Sequence, residues 1–160
     1  MVHLKLKHSL FFCIVLIALT SCNENTILDK SIEIENKEWD IKQIIKLETN
    51  IENVSDAYNF YVNIRHGATY PYSNMYVFVT TTMPNGKSLR DTLECVFSDD
   101  KGHWLGKSAG NIVDHRIPFK KNVRFPEKGL YKFEVEQAMR MEKLPDVLDA
   151  GLRIEKVEAK

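Results

Sequence analysis

Disulfide pairing is the first thing this chain lacks. It has three cysteines, Cys13, Cys22 and Cys95. Cys13 lies inside an apolar run and Cys22 closes it, so Cys95 is left alone and no disulfide framework is available. A membrane-spanning run is also missing. The longest uninterrupted apolar stretch, Leu10 to Leu19, spans about 15 Å as a helix, against a hydrocarbon core of roughly 30 Å. Charge of one sign is missing too, since 22 basic residues face 22 acidic ones. That balance implies no basic face, and nucleic acid, which needs a clustered positive surface, is not an expected partner. No serine sits in a Gly-x-Ser-x-Gly elbow, and there is no zinc-protease helix motif or phosphate-cradling loop. Catalytic residues and a cofactor are therefore not expected, and neither is a small-molecule substrate.

What the chain does have begins with its leader. Lys5 and Lys7 precede the apolar run, in which Phe11, Phe12, Ile14, Val15, Leu16 and Ile17 leave no polar face. Small residues then lead to a cysteine in the order Leu19-Thr20-Ser21-Cys22. This is the layout of an export signal, and its last four residues resemble the bacterial lipobox, whose cysteine is acylated and becomes the first residue of the mature protein. Residues 1–21 are thus expected to be a signal peptide, 22–30 a lipidated tether and 31–160 one domain. One acyl chain, at about 0.8 kcal/mol per buried methylene, binds a membrane marginally, whereas two or three on one cysteine anchor it. Without Lys5 and Lys7 the mature chain has 20 basic against 22 acidic residues.

From Ser31 onward apolar residues alternate with polar ones. The spacing predicts strands at 31–35, 41–47, 58–66, 75–82, 88–97, 112–119, 130–137 and 150–157. Trp39 is expected to close one end of the core. In the third strand Tyr58, Phe60, Val62 and Ile64 share the inward face. The fourth, nearly continuous in apolar and β-branched residues, reads as covered on both faces. Pro84-Asn85-Gly86 predicts a hairpin joining it to the fifth, in which Leu93, Cys95 and Phe97 point inward. Residues 49–56, 98–110 and 140–146 read as connections, and one helical turn fits within 136–144. Pro118 weakens the sixth strand. Gly129-x-Tyr131-x-Phe133 is reminiscent of the tyrosine corner of Greek-key sandwiches. Eight strands and no long helix predict an all-β fold, an antiparallel β-sandwich of jelly-roll or immunoglobulin-like topology.

Two groups of side chains stand out. Asp99, Asp100, His103, Asp114 and His115 gather metal-type ligands, but their spacing matches neither a calcium loop nor a zinc site, and loop aspartates ordinarily cap backbone amides. No metal is expected. Tyr70, Tyr72 and Trp104 are the candidate ligand-binding residues, as a platform for a sugar ring or a peptide. The alternative is that they plug an open end of the sandwich. Asp91 and Glu94, three apart on a strand, face opposite sides and make no carboxylate pair.

Several segments together carry a family resemblance. They include Tyr58-Asn59-Phe60-Tyr61-Val62-Asn63-Ile64-Arg65-His66, Tyr70-Pro71-Tyr72-Ser73-Asn74 and Arg90-Asp91-Thr92-Leu93-Glu94-Cys95. Trp104-Leu105-Gly106-Lys107, Glu136-Gln137-Ala138-Met139-Arg140 and Gly151-Leu152-Arg153-Ile154-Glu155-Lys156 continue the same register. With the lipobox they resemble the gliding-motility lipoprotein GldH family of the Bacteroidota. The resemblance implies a non-enzymatic, membrane-anchored component of the gliding apparatus, linked to type IX secretion, with other envelope proteins of those systems as partners. It supplies no catalytic residues. Asn23 after Cys22 lacks the aspartate of inner-membrane retention in enteric bacteria, and the lone Glu24 is no surface-export tract. The expected location is the outer membrane, facing the periplasm.

Overall fold

The structure is a computed structural model that describes residues 25–158. The leader and Cys22 lie outside the described residues. Eleven strands follow in order: β1 (Thr26–Glu33), β2 (Glu38–Asp40), β3 (Ile45–Ile51), β4 (Tyr58–Gly67), β5 (Asn74–Thr82), β6 (Ser88–Val96), β7 (Lys107–Ala109), β8 (Ile112–Val123), β9 (Gly129–Gln137), β10 (Lys143–Pro145) and β11 (Val147–Lys156). The all-β expectation holds, with eleven strands in place of eight; β2, β7 and β10, three residues each, are too short to show a period. Among the described residues the one helical segment is a single 3-10 turn, Glu35–Lys37. Residues 136–144 contain no helical turn.

Two sheets carry the fold, ordered β1-β11-β4-β8-β7 and β3-β9-β5-β6, and β10 pairs with β2 in a small third sheet. All pairings are antiparallel. Apart from the short strands, every connection except the β5–β6 hairpin passes from one sheet to the other. That is the interleaved double Greek key of a jelly roll, which decides between the two topologies the sequence leaves open. The core between the sheets contains Val62, Ile64, Val77, Val79, Phe133, Val135, Leu152 and Ile154, all essentially inaccessible. Trp39 is fully buried at the end closed by β2 and β10, and its indole N–H donates to the Gln43 carbonyl at 2.9 Å.

Several boundaries differ from the alternation, each for a local reason. β1 begins at Thr26, inside the stretch whose polar composition reads as tether, because it pairs along β11 and lies tightly over Gly151. A Cβ at Gly151 would sit 2.0 Å from the Lys30 carbonyl oxygen. The second predicted strand is displaced: β3 runs Ile45–Ile51, so Thr49 and Asn50 belong to it while Ile41 and Ile44 stay exposed in the preceding turn. β5 is covered on one face only, with Tyr76 exposed. The hairpin after it places only Gly86 at positive φ (84°), and the Asn85 side chain accepts from the Lys87 amide at 2.9 Å. The Met83 amide donates to the Lys87 carbonyl at 2.8 Å, which leaves the predicted Pro84-Asn85-Gly86 as the tip of the 83–87 loop.

β8 continues through Pro118 to Val123 because β7 covers its outer edge only at Ile112, Val113 and Asp114. Beyond them Pro118 lies on an open edge, where a missing N–H is tolerated. The region 140–146 contains β10, and β11 starts at Val147, before the alternation does. Tyr131 makes the predicted corner: its hydroxyl donates to the Glu127 carbonyl at 3.0 Å, next to Gly129 at φ 129°.

The sandwich has two distinct ends. Asn25 enters and Val157 leaves at the near end, beside the loops 52–57, 83–87 and 124–128, where Lys156 N–H donates to the Asn25 carbonyl and Val157 N–H to that of Ala57. The longer loops 34–44, 67–73, 97–111 and 138–146 gather at the far end, cross-linked by Ile34 to Leu148, Ile41 to Glu142, Gly67 to Asp146 and Ala68 to Asn111.

Candidate functional site

The far end encloses a buried pair of imidazoles. Position 66 has the same parity as Tyr58, Phe60, Val62 and Ile64, so β4 turns His66 inward, and β8 does the same for His115 after Val113. The two residues are 0% and 4% exposed. Their rings stack with centroids 5.0 Å apart and 18° between planes, and the Nε2 atoms are 3.0 Å apart. His66 Nδ1 lies 2.7 Å from the Gly67 carbonyl. A carbonyl only accepts, so Nδ1 carries the proton and neutral His66 presents a bare Nε2. That lone pair accepts the Nε2–H of His115, leaving Nδ1 of His115 as the bare nitrogen.

Three aromatic rings wall the pair. Phe97 stacks on His115 at 4.4 Å and lies 5.0 Å from His66; Tyr70 is 4.9 Å and Trp104 4.7 Å from His66. In these surroundings both imidazoles are held neutral. Desolvation first, then the neighbouring His66, lowers His115 from 6.5 to about 4. Desolvation also lowers His66, opposed by its bond to Gly67 and by the Asp146 carboxylate.

Beside the box an open groove of about 500 Å³ runs between the β6 edge and the β8 edge, with Val96, Leu105 and Ile117 as apolar walls, Glu94, Lys107 and Arg116 as charged ones and His115 at the floor. Gly106 lets the covering segment approach: a Cβ there would sit 2.6 Å from the Asp114 carbonyl and 2.8 Å from His115 Cε1. At Gly67 the space of a Cβ is filled by the Asp146 carboxylate, which holds the Thr69 amide and hydroxyl.

The predicted residues meet here in part. Tyr70 and Trp104 both contact His66, and Tyr72 packs edge-on against Tyr70 at 5.7 Å. Tyr70 is only 3% exposed, and its hydroxyl donates to the Asn74 carbonyl at 3.0 Å, so its face is closed to a stacking sugar. Trp104 and Tyr72 are half-buried against the core. Asp99 acts as a turn cap, accepting from the amides of Lys101 and His103 at 2.9 and 2.8 Å. Asp91 and Glu94 point apart, to Lys120 and Asn74 respectively. The central pair, His66 with His115, was not predicted as a unit; the strand parity of both positions was the available signal.

Chemically the box offers one proton acceptor, His115 Nδ1. Two imidazoles fall short of the three or four ligands of a zinc site, and the described residues contain no larger group of metal-type ligands. Among the described residues no hydroxyl or thiol hydrogen-bonds to either imidazole. The Cys95 thiol is buried and pushed up to about 12, chiefly by desolvation, so it stays protonated as a packing group.

Known proteins give the following matches. A family model described as GldH lipoprotein matches residues 26–154. A protein named gliding motility lipoprotein GldH homolog, from Christiangramia forsetii, is 32% identical over 152 residues, covering 91% of this chain and 93% of that protein. The gliding motility lipoprotein GldH of Flavobacterium johnsoniae is 27% identical over 159 residues, covering 95% and 98%. Among solved structures, the VP2 subviral particle of infectious bursal disease virus aligns at TM-score 0.35 and 12% identity, over 84% of this chain and 32% of that one. Similarity at that level carries no argument.

Proposed function

The chain belongs to the GldH lipoprotein family, and on that premise we propose that it is a lipid-anchored, non-enzymatic assembly subunit of the gliding-motility apparatus and the linked type IX secretion machinery. Cys22 is its acylation site, and the domain hangs from the outer membrane on the periplasmic side. One observation carries the reading. Only Asn23, Glu24 and Asn25 separate Cys22 from β1, so the domain has little room to leave the bilayer. The far-end box supports the non-enzymatic part, because three of its four ring nitrogens are engaged by each other and by backbone, and no hydroxyl or thiol among the described residues hydrogen-bonds to the fourth, His115 Nδ1.

The test is Cys22→Ala in the native organism. It should abolish fatty-acid labelling, move the protein to the soluble fraction and remove its contribution to motility or secretion. Full function from the soluble form would overturn the reading.

A further inference from the structure

Of the nine large apolar side chains exposed among the described residues, seven lie towards the far end, and the three most exposed share one sheet edge: Leu89 (53%) and Val96 (51%) on β6, and Leu105 (61%) just beyond its end. β6 is the outermost strand of its sheet and pairs with β5 alone, over nine residues without a shift in register. The other sheet edges are blunted. β8 has Pro118, a register irregularity at Phe60 and Tyr61 and the cover of β7, β1 has an irregularity between Thr26 and Leu28, and β3 is tied to β1 where Thr49 Oγ1 donates to the Ile27 carbonyl at 3.1 Å. β6 has no proline, glycine or bulge. Its one blunting device is Asp91, which Lys120 of β8 holds at 2.6 Å, closing the gap between the two edges at that level. The five residues after it, Thr92–Val96, about 17 Å of strand, keep outward N–H and C=O groups that no described strand pairs, beside the groove floored by His115.

We infer that the β6 edge at Thr92–Val96 takes up an extended segment of another envelope protein, added as a strand, with a basic side chain opposite Glu94 and apolar side chains opposite Leu93 and Cys95. The chain itself does this one step further on: past Val96 the Leu105 amide donates to the Phe97 carbonyl at 2.8 Å, and Ser98 bridges Trp104 on the side away from Ser73. Glu94 supplies the charge. Of the ionic side chains on β6, Arg90 pairs with Glu136 and Asp91 with Lys120, whereas Glu94 accepts from Asn74 at 2.7 Å and meets no cation among the described residues. On the facing rim Lys107 lies opposite Asp114 in the register and Arg116 reaches Asp29 at 3.9 Å, so each cation there has a carboxylate and Glu94 is the charge left over. The groove supplies the rest. Leu105 and Ile117 wall it for apolar side chains, and His115 Nδ1, unpartnered but not among the fully buried orphan atoms, offers an acceptor at its floor. Acyl chains have nothing to pair with a row of backbone groups. A second copy is excluded by the acylation proposed above, because a two-fold axis that pairs two β6 edges inverts one copy, whereas both near ends belong on one bilayer.

The experiment places a photo-crosslinking residue at position 92, and as a control at position 48 on the β3 edge, of the full-length protein in its native membranes, with fatty-acid labelling of the same samples. Position 92 should give one discrete adduct with another protein, mapped to a single segment of it, and position 48 none. That segment, as a synthetic peptide, should bind the purified full-length protein in detergent. Glu94→Lys should weaken binding at least tenfold at low salt, exchange of the peptide's basic residue for glutamate should restore it, and Leu105→Glu should weaken it severalfold. The signature of strand addition is backbone parity: N-methylation of alternate peptide amides should abolish binding in one phase and spare it in the other. Equal effects in both phases, a peptide that does not bind, equal adducts from position 48, an adduct of twice the chain's mass, a lipid adduct, or no adduct on normally acylated protein would overturn the edge site. Absence of the fatty-acid label would overturn the anchoring alone, since the adduct's mass and the two N-methylated peptides decide the edge without it.

Discussion

Both ends of the sandwich are plugged by aromatic rings, but the two plugs are chemically different. At the near end Phe125 contacts Tyr58, Phe60 and Tyr131 at 5.2, 5.5 and 4.6 Å, and the tyrosine hydroxyls donate to the Asn53 and Glu127 carbonyls. Nothing in that cluster ionises between pH 4 and 8. At the far end Phe97, Tyr70 and Trp104 enclose two imidazoles beside an open groove. Both plugs keep water out of an open end of the jelly roll. Only the far one couples that job to protons, and it does so at the end whose loops are longer and whose surface is more apolar.

If the plugs are structurally equivalent, removing the central ring of either should cost about the same. Phe97→Ala and Phe125→Ala are each expected to destabilise by about 3–5 kcal/mol, measured by urea unfolding at pH 7.5. A loss under about 1 kcal/mol for Phe97 alone would mean that the far plug is not part of the core.

Acid should separate the ends. A histidine whose folded pKa lies below its unfolded value near 6.5 binds its proton more readily in the unfolded chain, so stability is complete above about pH 6.5 and falls as pH drops towards the folded value. For His115, lowered to about 4, the window is pH 6.5 to 4 and the loss about 3 kcal/mol at 1.36 kcal/mol per unit. Unfolding curves at pH 7.5, 6 and 4.5 should show it, and His66→Phe/His115→Phe should remove most of it. The same slope in the double variant would assign the acid sensitivity to carboxylates elsewhere.

A methyl group at Gly106 should disturb the far end only. Gly106→Ala forces the segment off His115 and is expected to cost about 1–3 kcal/mol, with NMR shift changes at His66, His115 and Phe97 and none at Tyr58 or Phe125. The smallest effects come from single hydroxyls. Tyr131→Phe at the near end and Tyr70→Phe at the far end each lose one bond to a backbone carbonyl, about 1 kcal/mol apiece.

The near end was more legible in the sequence than the far one. Gly129-x-Tyr131-x-Phe133 is a local pattern, and the Tyr131 hydroxyl makes the bond the pattern implies. The β5–β6 hairpin was legible for the same reason, being the connection that stays within one sheet. The far box draws on β4, β8 and the loops 67–73 and 97–111, so no contiguous stretch describes it. His66 could have been found by extending the Tyr58-to-Ile64 parity one step further, and His115 by the same count from Val113. The pairing itself depends on a register between strands far apart in sequence, Ile64 opposite His115 and His66 opposite Val113. Ile41 and Ile44 misled in the opposite direction, because β-branched residues in a short run look like a strand even when they stay in an exposed turn.

The most direct test is where each end sits relative to lipid. With the acylated full-length protein in liposomes, headgroup spin-labelled lipids should strongly quench a fluorophore at position 85 in the near-end hairpin and leave one at position 105 in the far-end loop nearly unquenched. Equal quenching at both positions, or stronger quenching at 105, would contradict a domain held to the bilayer by its near end.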